Sequence, residues 1–506
     1  MKMTLPPDAL SPQSNEANIK SILDWLALAH SRQEAGDPDQ LYRQLLLLRE
    51  TPIPTGQNVK LLDLLYRQAE RIIDAERPSL REASLPVSRR IRQRVRVILK
   101  LLETLTQDYF NTLSELFDPQ CTALTRAPQT TLRRVMHCIA WQIQISHLIA
   151  SPPGIGLWQQ AHAAFGTARR LGVADTSGPR GEASIQQVYT NTLLAAIAQP
   201  ASFSAEELEL IGNYIERTGT SPGLTATPPA DCSSIFWIDL DKDFPAHALA
   251  RRIPSADTQV LYFSCDAIAR KIREDLTLLN QGIAASSIGL PALADNRSGK
   301  SVLRRLEALW GQPGKRKFPR RRQSYRTHLC AGFNNLWRLL KTPGSEAEFS
   351  EWMVINESPD GYALMHMSGH THRLRVGDIA AIQPTGERAE NNPVWHICIV
   401  RWAVSENPEH IELGLQLLAS HATAAQIIQP GSREARSISA LILPEAPPLR
   451  PQQALIVQTG TIKDDKLKIV VMVEKGNLEI REMQATSLDE QTSRIEVFSV
   501  EAAESD

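Results

Sequence analysis

From residue 17 to residue 218, apolar side chains recur at intervals of three and four positions. Ile19, Ile22 and Leu26 form one such set, and a longer set spans residues 88–117. This spacing lines apolar groups along one face of an α-helix, which is the face that packs against neighbouring helices. The pattern therefore predicts an N-terminal all-α helical region organised as a bundle.

After the helical region the hydrophobic pattern changes. Residues 218–229 are rich in Thr, Pro and Gly, a composition that predicts a linker. Two strand-like runs follow at 233–240 and 258–265, and helical stretches come next at 267–280 and 301–310. This order of elements predicts a small α+β module in the middle of the chain.

The remainder of the chain is rich in strand-like patterns. Three runs lie between residues 374 and 418, and four lie between residues 437 and 500, with Pro430-Gly431 marking a break between the groups. We therefore expect two β domains, the second of them a small β module. The first 16 residues are polar and contain Pro and Ser, which predicts a disordered lead.

Length, charge and cysteine content restrict the class of protein. A chain of 506 residues exceeds what one hydrophobic core usually supports, so several domains are expected. The net charge of −1 provides no long-range attraction to nucleic acid or anionic membranes, so any anion site has to be local. The six cysteines never occur as Cys-x-x-Cys, which favours buried thiols over structural zinc. Without a signal peptide or a long apolar run, the protein is expected to be cytoplasmic.

The most informative chemistry lies between residues 318 and 361. Arg322 and Arg326 are four positions apart, and each guanidinium can fork onto a phosphate or a guanine edge, or stack on a base. Asn356 and Ser358 supply short polar groups that can read a base edge, and Gly361 permits close backbone approach or a positive φ. Together these residues predict a site for a small anionic ligand that carries purine bases.

These motifs, followed by strand-like runs, resemble the PilZ family of bacterial cyclic di-GMP receptors over residues 318–421. In that pattern the arginines precede the first strand and the Asn/Ser/Gly turn follows the second. The resemblance implies a second-messenger effector, not an enzyme, with an antiparallel β-barrel that binds cyclic di-GMP on its outside and needs no metal or redox cofactor. The residues implied to bind the ligand are Arg321, Arg322, Arg326, Asn356, Ser358 and Gly361.

The predicted organisation is a disordered lead at 1–16, an α-helical domain at 17–218, an α+β module at 230–311, a PilZ-like β-barrel with an N-terminal basic hinge at 312–425, and a C-terminal β module at 432–502. Because the arginines follow residue 311 closely, we expect ligand binding to order the hinge and to reorient the domains. The signal would then pass to an unknown protein partner of the helical region.

Two other functions stay open at this point. Residues 304–326 hold nine Lys or Arg and one acidic residue, Glu307, so this basic stretch is an alternative site for RNA or DNA. The near-neutral net charge makes nucleic acid the less favoured partner. The second alternative is a ligand-free PilZ-like scaffold that serves only as an interaction module.

Two further motifs are interpreted as structural. Residues 294–301 satisfy a relaxed phosphate-loop pattern, but the preceding segment contains Pro291 and lacks a buried strand, so ATP binding is not expected and Ser298 or Ser301 is expected to cap a helix. His366, His370, His372 and His396 lie in a strand-and-loop segment that has no carboxylate at ligand spacing. We therefore predict no metal site there.

Overall fold

The computed structural model of the protein describes residues 12–31, 36–116, 128–218, 222–230, 232–255, 258–314, 318–342, 348–371, 374–385, 394–406, 410–428, 437–447, 450–462, 468–475 and 477–503. Eight α-helices lie in the described part of the chain before residue 219. They are α1 (Pro12–Ser31), α2 (Pro38–Arg49), α3 (Thr55–Arg81), α4 (Arg89–Leu116), α5 (Pro128–Leu148), α6 (Leu157–Arg170), α7 (Ile185–Ile197) and α8 (Ala205–Thr218).

The long helices pack through their apolar faces, as the spacing predicted. Helix α4 contacts both α3 and α5, and the rings of Tyr66 and Trp141 stack with centroids 5.2 Å apart. The N terminus of α8 carries a capping box. The backbone N–H of Ser204 donates to the Glu207 carboxylate at 2.8 Å, and the N–H of Glu207 donates to Ser204 Oγ at 3.3 Å. Two backbone donors at the helix end are satisfied in this way.

Helix α1 begins earlier than the sequence suggested. The prediction of a disordered lead is wrong for residues 12–16, which are helical, and residues 1–11 lie outside the described part of the chain. Pro12 suits the first turn of a helix, where no backbone N–H is needed. Asn15 Nδ2 also donates to the Pro52 carbonyl oxygen at 3.2 Å, which fastens this turn to the end of α2.

The α+β module shares one core with the helical region. It contains a three-stranded antiparallel sheet in the order β2-β1-β3, built from β1 (Ile235–Asp239), β2 (His247–Ala248) and β3 (Val260–Ser264) and followed by α9 (Asp266–Asn280) and α10 (Arg297–Gly311). Its apolar residues form a continuous buried cluster with those of α1 to α8. The buried indole N–H of Trp310 donates to the Leu194 carbonyl oxygen at 3.2 Å.

The segment expected to be a linker takes part in this sheet. Thr225 and Tyr262 exchange two backbone hydrogen bonds, of 2.9 and 2.8 Å. The linker prediction for residues 218–229 is therefore wrong at Thr225, because the exposed edge of β3 offers backbone partners to a passing chain.

Two closed six-stranded antiparallel barrels follow, the first in the order β4-β5-β6-β9-β8-β7 and the second in the order β10-β11-β12-β15-β14-β13. The first barrel contains β4 (Arg321–Ala331), β5 (Ser350–Ser358), β6 (Gly361–Ser368), β7 (Ile379–Pro384), β8 (His396–Ser405) and β9 (Ile411–Ala419). The second contains β10 (Thr423–Ile428), β11 (Ile438–Leu443), β12 (Ala454–Gln458), β13 (Lys468–Lys475), β14 (Asn477–Gln491) and β15 (Ile495–Ala502).

These elements confirm the predicted fold class of an all-α region, an α+β module, an antiparallel barrel and a C-terminal β module. The exact domain limits stay predictions. The second barrel starts at β10, which precedes Pro430-Gly431, so this dipeptide lies between two strands of one barrel and not between two domains. Turn-forming residues mark loops within a domain as readily as boundaries between domains.

The first barrel contacts both of its neighbours. Helix α11 (Phe333–Lys341) connects β4 to β5 and packs against β10 and β11 of the second barrel, where the Trp337 indole N–H donates to the Ala425 carbonyl oxygen at 2.8 Å. On the helical side, the Leu85 N–H donates to the Leu374 carbonyl oxygen at 3.0 Å. The first barrel is therefore in direct contact with both the helical region and the second barrel.

Candidate functional site

The three candidate arginines lie on the first strand of the first barrel. Arg321 begins β4, and the side chains of Arg321, Arg322 and Arg326 are all exposed. The expectation that they precede the strand is wrong, because the backbone of this basic run pairs with β5, and pairing outweighs intrinsic strand preference. Of the expected basic hinge, residues 315–317 lie outside the described part of the chain.

The strand register brings the two sequence motifs together. Arg322 lies directly opposite Asn356 in the β4–β5 ladder, and Arg326 lies opposite Met353. A register shift between Arg322 and Tyr325 changes which side chains of β4 share a face with those of β5. Directly opposed residues have Cβ atoms about 5 Å apart. Arg322 and Asn356 are therefore close enough to contact one small molecule.

The turn between β5 and β6 has a tightly packed geometry. Ser358 Oγ lies 2.6 Å from Asp360 Oδ1 and 3.2 Å from the Gly361 carbonyl oxygen. The hydroxyl donates its single proton within the turn, so its lone pairs stay available to accept from a ligand. Gly361 does not have a positive φ. A Cβ added there would overlap the Leu415 carbonyl oxygen, so close backbone approach is what requires glycine at this position.

A row of outward positions continues from Arg322 and Asn356 around the barrel. Asn356 pairs with Ala363, Ala363 pairs with Gly414, and Gly414 pairs with Trp402. The Trp402 indole lies across Gly414, since a Cβ added to Gly414 would overlap the indole ring. At a strand spacing of about 4.8 Å, the row from Arg322 to Gly414 covers roughly 14 Å. It forms a shallow surface with an arginine at one end and an aromatic ring at the other.

Trp402 is a candidate that sequence reasoning did not single out for the site. A tryptophan in a predicted strand is usually assigned to the core or the rim of a barrel. Only the register between β8 and β9 shows that Trp402 contacts Gly414. The available signal was Gly414, a small residue between Leu413 and Leu415. Leu413 and Leu415 are buried in the barrel interior. Glycine between two inward leucines leaves a gap on the outer face that a large side chain can cover.

Two carboxylates border the arginines. Glu357 is opposite Arg321 in the register and lies 3.4 Å from the Tyr325 hydroxyl, which donates to it. Asp360 accepts from Ser358 within the turn. Three guanidinium groups and two carboxylates leave an excess of positive charge at this end of the barrel. Such a surface attracts anions locally even though the whole chain is nearly neutral.

The phosphate-loop string at 294–301 has a structural role. It begins within a 3₁₀ turn, Ala292–Asp295, and not after a strand, and Lys300 Nζ donates to the Leu279 carbonyl oxygen at 2.8 Å. Asn296 caps α10 by accepting from the Gly299 N–H at 2.8 Å, so the expectation that Ser298 or Ser301 is the cap is wrong. The asparagine takes this role because it immediately precedes the first helical residue, with an extended backbone.

The histidines of the first barrel bond to neighbouring protein groups. His396 Nδ1 lies 3.0 Å from the Tyr362 hydroxyl, and His366 Nε2 lies 3.2 Å from the Gly369 carbonyl oxygen. Burial raises the pKa of the Tyr362 hydroxyl. His372 lies outside the described residues. In the part of the chain that is described, no group of three or more His, Cys, Asp or Glu could hold a metal ion.

Comparison with known proteins gives two matches. Residues 20–227 match the family model described as "Cyclic-di-GMP receptor FimW, N-terminal domain". Residues 341–424 match the model described as "Cyclic-di-GMP receptor FimW, middle PilZ domain". The second match includes Asn356, Ser358 and Gly361 but begins after the three arginines. No curated protein matches the chain significantly.

The two matches concern one family, occur in the order that its descriptions give, and together cover more than half of the chain. The resemblance to PilZ receptors is thereby confirmed, and cyclic di-GMP is the ligand of this receptor family. Among the described residues, no helix has the length and apolar character needed to cross a membrane. The match to the middle PilZ domain spans β5 to β9 of the first barrel, and the chain belongs to the cyclic-di-GMP receptor FimW family.

Proposed function

We propose that this receptor binds cyclic di-GMP on the outer face of its first barrel, between the arginines of β4 and the Asn356–Gly361 turn. The observation that supports this most is the direct pairing of Arg322 with Asn356. It joins a group suited to phosphates and guanine faces to a group suited to guanine edges. The site needs no metal, because guanidinium groups neutralise the phosphate charge.

Each candidate residue has a distinct role in this proposal. Arg322 and Arg326 hold phosphate oxygens and guanine edges or faces, and Arg321 assists them from the neighbouring position. The Asn356 amide both donates to and accepts from a guanine edge, while Ser358 Oγ accepts. Gly361 contacts no ligand atom through a side chain, but it keeps the turn close to β9 so that Ser358 is correctly placed.

Trp402 completes the surface in this proposal. Its half-buried indole lies flat against the barrel over Gly414, in the same cross-strand row as Arg322 and Asn356. A flat aromatic ring at the end of such a row offers a stacking partner for a guanine base, and stacking of this kind contributes about 1–3 kcal/mol per base. The arginines and the indole would then hold the two ends of the ligand.

We also propose that ligand binding is transmitted through the segment that joins α10 to β4. Arg321 and Arg322 are the first residues of β4, so a ligand that holds them restrains the chain that enters this strand. The Gly314 carbonyl oxygen, near the start of this segment, already accepts from Arg251 Nε at 2.9 Å. The restraint would change how the helical region and the barrel pack, and a protein partner of the helical region would detect the change.

In this proposal the protein is a cytoplasmic effector without catalytic activity. Calorimetry with cyclic di-GMP tests it most directly, with GTP as a comparison ligand that has the same base and cyclic di-AMP as one that has the same number of phosphates. We expect heat and a thermal shift with cyclic di-GMP alone. Hydrogen exchange at residues 312–314 and 318–320 then tests the transmission step. Wild-type protein that binds no cyclic di-GMP would refute the assigned site, and binding without altered exchange in this segment would refute the transmission step alone.

A salt titration separates this proposal from binding of nucleic acid. Contacts with many phosphates give an affinity that falls steeply with salt for any sequence, whereas a cyclic dinucleotide has only two phosphates and gives a shallow dependence. A third outcome, no binding of either class, would favour a barrel that acts only as an interaction module. The basic stretch at 304–326 is the feature that supports the alternative of nucleic-acid binding.

A further inference from the structure

Arg401 lies where the candidate ligand-binding face meets the second barrel. It precedes Trp402 in β8, and its side chain is 27% exposed. Its Nε donates to Gln416 Oε1 of β9 at 2.5 Å, while its two terminal nitrogens donate to the two carboxylate oxygens of Glu490 in β14, one of them at 3.0 Å. A guanidinium that is held in this bidentate way has a fixed orientation.

The β5–β6 turn reaches Arg401 through strand β9. Gly361 is the register partner of Gln416, and the Leu417 N–H donates to the Asp360 carbonyl oxygen at 2.9 Å. Since the backbone at Gly361 is packed against the Leu415 carbonyl, the turn has no space to move independently of β9. A displacement of the turn therefore displaces Gln416, whose side chain accepts from Arg401.

Beyond Arg401, the contacts continue to the second barrel and to α10. Ser301 Oγ of α10 donates to the carbonyl oxygen of Gln491, the residue after Glu490, at 3.1 Å. Burial lowers the pKa of Arg305, also in α10; the charge of Arg401 lowers it further, and Glu207 and Glu490 oppose that change. Arg305 is thus within electrostatic range of both members of the pair. Helix α10 belongs to the core that the helical region shares with the α+β module.

We propose that Arg401 is a positioning residue that links the ligand-binding face of the first barrel to the second barrel and α10 through its bidentate contact with Glu490. This inference rests on the function proposed above. Ligand that holds the turn or stacks on Trp402 acts on Arg401 from two sides, through Gln416 and through the adjacent residue. The Glu490 carboxylate then follows the guanidinium, because the paired geometry tolerates little misalignment.

The chain supplies a matched control. Lys341 of α11 and Glu474 of β13 form a second ion pair between the two barrels, with a distance of 3.6 Å. That pair has no contact with β9 or with the turn among those described. Glu490→Gln and Glu474→Gln each remove one charge from an inter-barrel pair, so the two variants differ in the connection to the ligand-binding face.

The test is hydrogen exchange with and without cyclic di-GMP in the full-length protein, with calorimetry on the same samples. In the wild type and in Glu474→Gln, we expect cyclic di-GMP to change exchange at residues 486–491 and 301–305. In Glu490→Gln and Arg401→Lys, we expect that change to fall at least fivefold. Binding itself should persist in Glu490→Gln, because Glu490 is not among the residues proposed to contact the ligand. The affinity should change only by the factor that couples the ligand-binding face to Glu490, which we expect to be less than about tenfold.

Two results would overturn this inference while the proposed function stands. One is wild-type protein that binds cyclic di-GMP with unchanged exchange at 486–491. The other is Glu490→Gln that responds as strongly as the wild type. Wild-type protein without calorimetric heat would instead remove the proposed function and this inference together, so the two failures are distinguishable.

Discussion

Arg322 and Asn356 are directly opposed in the β4–β5 ladder, and their pairing joins two motifs that are separate in the sequence. The register shift beside Arg322 determines which neighbours share its face. The turn that follows Asn356 is fixed against β9 by Gly361. The proposed site therefore lies on paired strands, and loss of one of its side chains should affect ligand affinity more than it affects the fold.

Replacement of Arg322 or Arg326 by Ala should weaken cyclic di-GMP binding by about ten- to a hundredfold. The reason is that a charge-assisted bidentate contact contributes roughly 1.5–3 kcal/mol. Lysine should restore little of this affinity, because it keeps the charge but not the planar fork. Calorimetry measures the effect, and Arg338→Ala, an exposed arginine of α11, is the control. Full recovery with lysine would favour a diffuse basic surface that binds nucleic acid.

Trp402→Ala should lower the affinity for cyclic di-GMP by roughly five- to a hundredfold, in line with the value of about 1–3 kcal/mol for stacking on a base. Trp402→Phe should retain part of this affinity because a smaller ring still stacks. The measurement is calorimetry supported by quenching of tryptophan fluorescence. Trp337→Phe, in α11, is the matched control. Equal affinity in Trp402→Ala and the wild type would show that Trp402 does not contribute to ligand binding.

Gly361→Ala should destabilise the first barrel and abolish ligand binding. An added Cβ meets the backbone carbonyl oxygen of Leu415, which cannot move without disturbing the β6–β9 ladder. Overpacking of this kind typically costs about 1–3 kcal/mol. Thermal unfolding measures the loss. Gly154→Ala is the control, since an added Cβ there meets nothing within 4 Å. Equal melting temperatures for the two variants would contradict the close approach.

Lys300→Ala should leave cyclic di-GMP affinity unchanged, and the wild type should have no magnesium-dependent ATPase activity. Lys300 Nζ donates to the Leu279 carbonyl oxygen and so connects α10 to α9. Loss of this hydrogen bond should lower the stability by about 1 kcal/mol. A phosphate-release assay and urea unfolding test both statements. Hydrolysis that disappears in Lys300→Ala would show that residues 294–301 bind a nucleotide after all.

Asp378→Asn should alter how stability depends on pH. Burial raises the pKa of Asp378 from 3.8 to about 6, although the Arg375 N–H donates to it and Arg494 lies nearby. Because the folded-state pKa is higher than the unfolded value, the contribution of Asp378 is fully present below pH 3.8 and is lost as the pH rises through 6.

Asparagine does not ionise, so the variant should gain up to about 3 kcal/mol over the wild type above that range. Urea unfolding at pH 4.5 and pH 7.5 measures the difference, and Asp241→Asn, at an exposed site, is the control. A variant with the same pH dependence as the wild type would show that Asp378 does not titrate in this window.

The barrel and the class of ligand could be predicted because Arg-x-x-x-Arg, Asn-x-Ser-x-x-Gly and the strand-like runs after them occur in an order that resembles the PilZ family, and that resemblance implies both. The sequence did not predict that the basic run belongs to β4. Arginine has little intrinsic preference for strands, and this segment becomes a strand because its backbone pairs with β5. The sequence also could not bring Trp402 to Gly414, because strand register depends on shifts that no local pattern records.

The second barrel was predicted only in outline for a similar reason. Its longest strand, β14, begins with six exposed residues that include Leu478 and Ile480, so the apolar positions of this segment do not mark a buried face. Its first strand, β10, lies ahead of Pro430-Gly431, which suggested a boundary in the wrong place. The core shared by the helices and the α+β module was not predictable either, because contacts between distant segments leave no trace in local periodicity.

The core shared by the helical region and the α+β module also determines how the protein unfolds on heating. With Trp310 of α10 hydrogen-bonded to Leu194 of α7 inside one apolar cluster, neither side can melt without exposing the other to water. A calorimetric scan should therefore contain a single large endotherm for residues before 312. A fragment cut at residue 218 would leave two incomplete halves that aggregate, whereas a fragment that extends to residue 314 should remain folded.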